Sequence, residues 1–182
     1  MTPGVFIAVV GPSGAGKDTL IRAAMAGSQD LVLARRVITR PPAPDTEDFD
    51  SVDEQEFARR RDAGAFALHW HAHGLSYGIP IGVDRDLAKG VSVIANLSRS
   101  MINAGRARFD RFRAIVVTAP VPVLAERLAL RGRETAEDIA ERLERARYTP
   151  PVGDDVIAVD NGGDLATAVA AFRAALPQPV RG

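Results

Sequence analysis

The sequence predicts an α/β fold with a mostly parallel central sheet. Residues 5–10 form a continuous apolar run, which is typical of a parallel strand buried on both faces. A glycine-rich turn follows at 11–16, and residues 19–25 continue with the spacing of a helix. Strand and helix signals then alternate without a repeat or a low-complexity linker, which favours a single domain over residues 1–182.

The remaining elements are predicted from apolar runs and helix-start signals. Short apolar runs indicate further strands at 31–38, 66–71, 91–96, 114–119 and 155–160. Asp53 and Glu56 have the spacing of a capping box, so a helix should begin after Asp53 and end near Asp62. Pro122 suits the first turn of a helix that ends near Leu130. The other helices are predicted at 100–108, 135–148 and 165–176.

Composition excludes several classes of protein. The chain has 23 Lys and Arg against 23 Asp and Glu, so nothing indicates a nucleic-acid partner or attachment to a membrane surface. It has no cysteine, which excludes disulfides and thiolate metal sites and fits a reducing compartment. There is no secretory signal and no apolar stretch of membrane-spanning length, so we expect a cytoplasmic protein. The sequence leaves open whether the chain forms a homodimer.

Residues 11–18 match the phosphate-binding loop G-x-x-x-x-G-K-[S/T] except at the last position. A strand, a glycine turn and a helix start direct successive backbone N–H groups at one point, and Lys17 adds a mobile positive charge. We therefore predict a P-loop NTPase three-layer fold that binds ATP, with Lys17 as a catalytic residue. The nucleotide-binding residues are Gly11, Pro12, Ser13, Gly14, Ala15, Gly16, Lys17, Asp18 and Thr19. The alternative is a glycine turn that binds no ligand.

Asp18 occupies the position at which a hydroxyl usually binds Mg²⁺. A carboxylate is also a hard oxygen ligand, directly or through a water, so we predict that Asp18 is a Mg²⁺ ligand. Thr19 is a poor substitute, because one residue along a helix is a rotation of about 100°. The alternative is that Asp18 only interacts favourably with the helix dipole.

Arginines are concentrated between residues 127 and 147, in a helix, a loop and a second helix. Phosphoryl transfer needs positive groups around the migrating phosphoryl, often on a lid that also excludes water. Arg131 lies beside a glycine and Arg142 can reach in from the following helix, so we predict that both are catalytic. The alternative is a solvated helix face with i,i+4 ion pairs, which the pattern favours for Arg147.

All three histidines fall within residues 69–73. In an extended segment His69, His71 and His73 would share one face, because strand side chains alternate. We predict that they contact a polar, phosphorylated substrate, since imidazole can donate or accept hydrogen bonds. The alternatives are a zinc site, which lacks a nearby acidic ligand, and ordinary core or surface histidines.

Two further residues are predicted to hold a phosphate of the acceptor. Arg40 precedes a proline-rich loop, and Tyr77 follows the histidines. An arginine fork and a phenol hydroxyl are both suitable donors to phosphate oxygens. Each is a weak signal on its own, since Thr-Arg and Tyr-Gly pairs occur by chance.

Taken in order, these motifs resemble the guanylate kinase superfamily over nearly the whole chain. The matching segments include 11–17, 39–40, 56–57, 77–78, 131–132, 142–143 and 160–161. The resemblance implies a guanylate kinase-like acceptor region at about 40–88 and a lid at about 131–147.

The chain departs from that superfamily where guanine would be read. The guanine-reading glutamate falls on Leu68, a second arginine on Ala43 and a phosphate-binding tyrosine on Phe49, while Asn96 is the polar residue where paired aspartates are expected. A pocket selects through hydrogen bonds that a wrong ligand leaves unpaired, so these losses remove the basis for choosing guanine. The acceptor should therefore be phosphorylated but lack guanine.

A narrower resemblance accounts for these departures. The segments Gly-Lys-Asp at 16–18, Ala-Leu-His-Trp-His-Ala-His-Gly at 67–74 and Asn-Leu-Ser-Arg at 96–99 are similar to ribose 1,5-bisphosphate phosphokinases. Val-Ile-Thr-Arg at 37–40 and Tyr-Gly-Ile-Pro at 77–80 agree with the same family. The resemblance implies an ATP- and Mg²⁺-dependent kinase of phosphonate catabolism that converts ribose 1,5-bisphosphate to 5-phosphoribosyl 1-diphosphate. The alternatives are a kinase for GMP or another small phosphorylated acceptor, and a non-catalytic guanylate kinase-like binding module.

Overall fold

The structure is a computed structural model that describes residues 2–42, 47–130, 132, 138–139, 143 and 147–178. The strands are β1 (Phe6–Val10), β2 (Leu31–Leu33), β3 (Val37–Ile38), β4 (Asp50–Ser51), β5 (Phe66–Ala72), β6 (Leu75–Pro80), β7 (Ser92–Asn96), β8 (Phe112–Thr118) and β9 (Val156–Asp160). The helices are α1 (Lys17–Met25), α2 (Glu54–Asp62), α3 (Val83–Ala88), α4 (Ile102–Arg108), α5 (Val121–Leu130) and α6 (Leu165–Ala175). A 3₁₀ turn, Arg99–Met101, precedes α4. None of the helices so described is both long and apolar enough to cross a membrane.

The central sheet is parallel and has β1 in its middle. Within the described residues its order is β2-β7-β1-β8-β9, and every pair in it is parallel. Every residue of β1 is buried, as expected for a parallel strand covered on both faces. The predicted α/β fold with a mostly parallel sheet is confirmed.

Alternate residues of β1 belong to two hydrophobic cores, one on each face of the sheet. Ile7 and Val9 pack in the core that includes Leu20 of α1 and Phe172 of α6. Phe6 and Ala8 belong to the opposite core, which contains residues of α4 and of the second sheet. The central sheet is therefore the middle of three layers, and its carboxyl edge lies between the two outer ones.

The strand predicted at 31–38 is wrong, because the chain changes sheets within it. β2 pairs with β7 in the central sheet, whereas β3 joins a second sheet of order β4-β3-β6-β5. Between the two strands, the guanidinium of Arg36 is buried in an ion pair with Glu47. The backbone carbonyl of Arg36 accepts a hydrogen bond from the Asp50 amide. Both halves are apolar, so the sequence pattern does not show where the pairing partner changes.

The hairpin β5–β6 contains a strand that the sequence analysis missed. β6 includes Gly78 and Pro80, residue types that weaken a strand signal. Gly78 is needed there, since a Cβ atom would lie 2.6 Å from the Phe66 ring. The hairpin turns through His73 and Gly74, whose φ angles of 53° and 73° fit a two-residue turn of type I′. The prediction that His73 continues the strand face is therefore wrong.

The cap of α2 forms as predicted on one side only. The Asp53 Oδ1 atom accepts a hydrogen bond from the Glu56 amide at 2.7 Å. The Glu56 carboxylate does not reach back to the cap but binds Arg59 and Arg60, whose hydrogen bonds lower its pKa to about 2. Competition from these guanidinium groups explains why the reciprocal half of the capping box is absent.

The other predicted elements agree with the structure to within a few residues at their ends. The helix predicted at 100–108 begins as the 3₁₀ turn, and Pro122 is the second residue of α5, in its first turn. The short helix α3 was not predicted. The helix predicted at 135–148 and the lid predicted at 131–147 lie mostly outside the described residues.

We expect Phe172→Ala to be strongly destabilising. Phe172 is fully buried on α6 against the central sheet, so its loss should cost about 3–5 kcal/mol of unfolding free energy. Leu165→Ala, at the exposed start of the same helix, should cost about 0.5 kcal/mol or less. Urea unfolding of both variants measures the difference, and equal costs would show that α6 does not cover the core as described.

Candidate active site

The loop between β1 and α1 has backbone geometry that only glycine permits at its two ends. Gly11 and Gly16 have φ angles of 154° and 86°. A Cβ atom at Gly11 would lie 2.2 Å from the Val117 carbonyl oxygen, and one at Gly16 would lie 2.4 Å from Asn161 Nδ2. The loop is thus pressed against β8 and the residue after β9, which fixes its path at the carboxyl edge of the sheet.

Two carbonyl groups of this loop accept hydrogen bonds from side chains outside the loop. Asn161, which is buried, donates from Nδ2 to the Ala15 oxygen at 2.8 Å. Arg127 of α5 donates from Nη1 to the oxygens of Gly14 and Ala15 at 3.2 and 3.4 Å, and from Nη2 to the Asn161 oxygen. The C=O and N–H of a trans peptide point in opposite directions. Holding the Ala15 oxygen therefore turns the Gly16 N–H away from Asn161, the orientation that a phosphate-binding loop requires.

Lys17 and Asp18 start α1 at this loop. The Lys17 ammonium donates to the oxygens of Gly11 and Pro12 at 2.9 and 3.1 Å, so it lies over the loop. The exposed Asp18 carboxylate accepts a hydrogen bond from the Asn96 side-chain amide at 3.2 Å. Because Asn96 ends β7, the neighbour of β1, a positive group and a hard oxygen ligand stand together at the carboxyl edge of the sheet.

A cleft of about 530 Å³ adjoins the loop. Its described lining comes from the phosphate loop, the second sheet, the segment after β7 and the end of the predicted lid: Gly11, Pro12, Ser13, Lys17, Arg36, Trp70, Ala72, His73, Tyr77, Asn96, Leu97, Ser98, Arg99, Ser100, Arg147 and Tyr148. None of these residues is acidic, whereas five of them are Lys, Arg or His. A second cavity, of about 640 Å³, lies beside Lys89 and Arg111 and includes no residue of the loop.

The cleft brings together some of the predicted site residues and separates others. Lys17, His73 and Tyr77 all line it. His69 and His71 are exposed on β5, on the face opposite Leu68 and Trp70, and do not line it. No group of three His, Cys, Asp or Glu side chains in the described part of the chain could hold a metal ion, so the histidines do not converge into a zinc site there.

Arg40 also lies outside the lining of the cleft. Its guanidinium carbon is 4.5 Å from the centroid of the Phe49 ring, and its Nε atom is buried with no hydrogen-bond partner among the described residues. Arg131 and Arg142, the predicted catalytic arginines, are not among the residues that the structure describes.

Arg36 is a cleft residue that the sequence analysis missed. Its guanidinium forms a two-point ion pair with Glu47, at 2.6 and 2.5 Å, and lies 5.2 Å from the centroid of the Tyr77 ring. Tyr77 stacks in turn on Trp70, with the ring centroids 5.2 Å apart. Glu47 offsets the charge of Arg36, so this wall of the cleft presents stacked side chains rather than a free positive charge.

Arg99 and Tyr148 form a second unpredicted pair in the cleft. Arg99 donates from Nη1 to the Thr149 oxygen at 2.8 Å, and its guanidinium lies 4.7 Å from the centroid of the Tyr148 ring. The Tyr148 hydroxyl is buried and has no hydrogen-bond partner among the described residues. Burial raises the pKa of Tyr148 to about 12, although the nearby Arg99 acts in the opposite direction. The Asn-Leu-Ser-Arg segment drew attention to Arg99, but nothing in the sequence connected it with residue 148.

Leu68 lies at the position where the guanylate kinase resemblance places a guanine-reading glutamate. The side chain is buried in the hydrophobic core between the two sheets, together with Ile79 and Trp70. A carboxylate at this position would lose its hydration without a partner, which is costly. The position that reads guanine in the guanylate kinase resemblance is therefore part of the core here.

The chain is similar to curated proteins over most of its length, although no family model matches it. It is 47% identical over 172 residues to the ribose 1,5-bisphosphate phosphokinase of Brucella melitensis, covering 93% of this chain and 90% of that protein. It is 48% identical over 165 residues to the enzyme of the same name from Rhizobium etli, covering 89% and 84% of the two chains.

A solved structure supports the fold independently. The guanylate kinase of Anaplasma phagocytophilum superposes with a TM-score of 0.63 at 21% identity, covering 96% of this chain and 84% of that one. At this identity the likeness concerns the fold alone, and it agrees with the predicted P-loop kinase architecture.

We expect Tyr148 to ionise only in strongly alkaline solution. Because burial raises its pKa to about 12, the native state holds this proton more tightly than the unfolded chain does. Its contribution to stability is complete below the ordinary tyrosine pKa of about 10 and is lost as the pH rises towards 12. Absorbance titration at 295 nm, with Tyr148→Phe as the reference, isolates this group. A Tyr148 transition near pH 10 would contradict its buried placement.

Proposed function

The chain belongs to the ribose 1,5-bisphosphate phosphokinase family, and we propose that it transfers the γ-phosphoryl group of ATP to ribose 1,5-bisphosphate. The observation that carries this proposal is the cleft, which joins a phosphate-binding loop to walls whose described residues include arginines and a histidine but no carboxylate. An acceptor with two phosphates and no base needs cations and hydroxyls around it, and no base-reading group. Leu68, buried in the core, supplies none.

The product, 5-phosphoribosyl 1-diphosphate, determines which bonds change. An oxygen of the 1-phosphate attacks the γ-phosphorus of ATP, and the bond from that phosphorus to the β–γ bridging oxygen breaks to release ADP. A phosphate monoester is largely ionised at neutral pH, so the attacking oxygen needs no general base. The protein must therefore position the two phosphates in line and offset their charge. The absence of a carboxylate among the described cleft residues fits this requirement.

Lys17 is the residue placed to offset charge on the donor. Its ammonium lies on the loop carbonyls of Gly11 and Pro12, beside the backbone N–H groups that would hold ATP phosphates. A lysine side chain is long and flexible, so the ammonium can move from those carbonyls to phosphate oxygens. Support from Arg131 and Arg142 on a lid at 131–147 stays a prediction.

A Mg²⁺ ion fits at Asp18. The carboxylate is exposed beside the phosphate loop, and its described neighbour is the neutral amide of Asn96. Mg²⁺ commonly takes one or two carboxylates together with substrate phosphates and several waters, so one protein ligand is sufficient. When bound, the ion would offset charge on the ATP phosphates.

On the acceptor side, His73 and Tyr77 are the predicted residues that reach the cleft. The positive φ of His73 places it at the tip of the β5–β6 hairpin, and Tyr77 is fixed between Trp70 and Arg36. His69, His71 and Arg40 would need a substrate that extends beyond the described cleft, so we assign the acceptor primarily to His73 and Tyr77.

The wider setting of the reaction belongs to the proposal too. We propose an acceptor region at about 40–88, a cytoplasmic location and a role in phosphonate catabolism. The family resemblance and the lack of cysteine support these assignments. Whether the chain works as a homodimer stays open.

Ribose 1,5-bisphosphate should be a much better acceptor than GMP. We expect its kcat/KM to be higher by about 100-fold or more, because no described group in the cleft is a carboxylate that could read guanine. Initial rates for both acceptors, measured with ATP and Mg²⁺ on one preparation, decide the question. A preference for GMP would identify the chain as a guanylate kinase and overturn the proposal.

Lys17→Ala should lower kcat by about 100-fold or more, since it removes charge stabilisation in the transition state. Lys89→Ala is the matched control, because Lys89 is the chain's other lysine and is exposed at the end of α3. Thermal melts establish that both variants fold. Near-normal turnover of folded Lys17→Ala protein would remove the loop from the mechanism.

A further inference from the structure

The arginines of the cleft differ in whether a carboxylate already offsets their charge. Arg36 makes its two-point ion pair with Glu47, and both side chains are largely buried, at 11% and 17% exposure. Arg99 forms no ion pair with any described residue. Its guanidinium donates a hydrogen bond to the Thr149 carbonyl and lies over the Tyr148 ring. Within the part of the chain that the structure describes, no carboxylate offsets its charge, so we take that charge to be available to a ligand in the cleft, whereas the charge of Arg36 is offset by Glu47.

Arg99 is also held in place before any ligand arrives. The hydrogen bond to Thr149 fixes one end of the guanidinium, and the Tyr148 ring supports its face. A planar guanidinium fixed in this way loses little conformational entropy on binding and can offer its remaining N–H groups to two oxygens of one phosphate.

Hydroxyl groups flank Arg99 along the chain. The Ser98 and Ser100 Oγ atoms lie 2.9 Å apart, and both residues line the cleft. A hydroxyl can turn to donate to an anion, so the segment 98–100 combines a positive fork with two adjustable donors. Only Leu97 separates this segment from the strand that ends at Asn96, whose side-chain amide donates to Asp18.

A sugar bisphosphate presents two phosphates with different needs. The reacting 1-phosphate must meet the γ-phosphoryl group beside Lys17, so the other phosphate requires a separate cation in the same cleft. We propose that Arg99, with the hydroxyls of Ser98 and Ser100, binds the non-reacting 5-phosphate of the acceptor. This inference rests on the proposed function, and it assigns to Arg99 a role that the sequence analysis gave to Arg40.

The test compares two acceptors that differ only in that phosphate, ribose 1,5-bisphosphate and ribose 1-phosphate. The wild type should favour the bisphosphate in kcat/KM. Arg99→Ala should raise the KM for the bisphosphate by about 10–100-fold, leave the KM for ATP unchanged and abolish most of the preference. Arg99→Lys should restore part of it, since it keeps the charge but not the fork.

Two further variants make the result specific. Arg108→Ala removes an exposed arginine on α4 that pairs with Asp84, so it should change neither acceptor. Arg40→Ala tests the competing assignment, and loss of the preference in this variant but not in Arg99→Ala would overturn the proposal. An unchanged preference in folded Arg99→Ala would also overturn it while leaving the proposed function intact. A wild type that phosphorylates neither sugar would refute both.

Discussion

The geometry of the active site depends on one backbone oxygen, that of Ala15, which accepts hydrogen bonds from Asn161 and Arg127. The two side chains come from the ends of β9 and α5, which are distant in sequence from the loop and adjacent to it only in the folded sheet. Their hydrogen bonds fix the peptide plane before Gly16, and the close approach of Asn161 leaves no room for a side chain there. Loop geometry is thus a property of the whole parallel sheet, because β8 and β9 must be in register to bring Asn161 into position.

The charges around the cleft explain how one fold can serve a phosphorylated sugar. Glu47 offsets Arg36, which then acts with Trp70 and Tyr77 as a wall, while Arg99 keeps its charge for a ligand. Positive groups that line a cleft raise the local concentration of anionic ligands. A cleft whose described residues include no carboxylate therefore selects for anions. The buried Leu68 side chain has no group that could hydrogen-bond to a base.

The sequence could predict those parts of the site that depend on local order. The phosphate loop is a contiguous motif, so its glycines and Lys17 were found directly. Arg36 could not be found in this way, because its role depends on Glu47 across a loop. In the sequence, the adjacent Arg35 and Arg36 indicate only a solvated surface. The same holds for Arg99, which depends on contacts with residues 148 and 149. His73 was misplaced because a two-residue turn interrupts the alternation on which its strand assignment relied.

The position of the new phosphate bond distinguishes the proposed reaction from its alternatives. Phosphorus NMR of ribose 1,5-bisphosphate with ATP, Mg²⁺ and the protein distinguishes a monoester from a diphosphate through phosphorus–phosphorus coupling. We expect the 1-phosphate signal to be replaced by two coupled signals of a sugar diphosphate, while the 5-phosphate signal persists. Loss of the 5-phosphate signal with the 1-phosphate intact, or release of orthophosphate without a new sugar diphosphate, would contradict the proposed reaction.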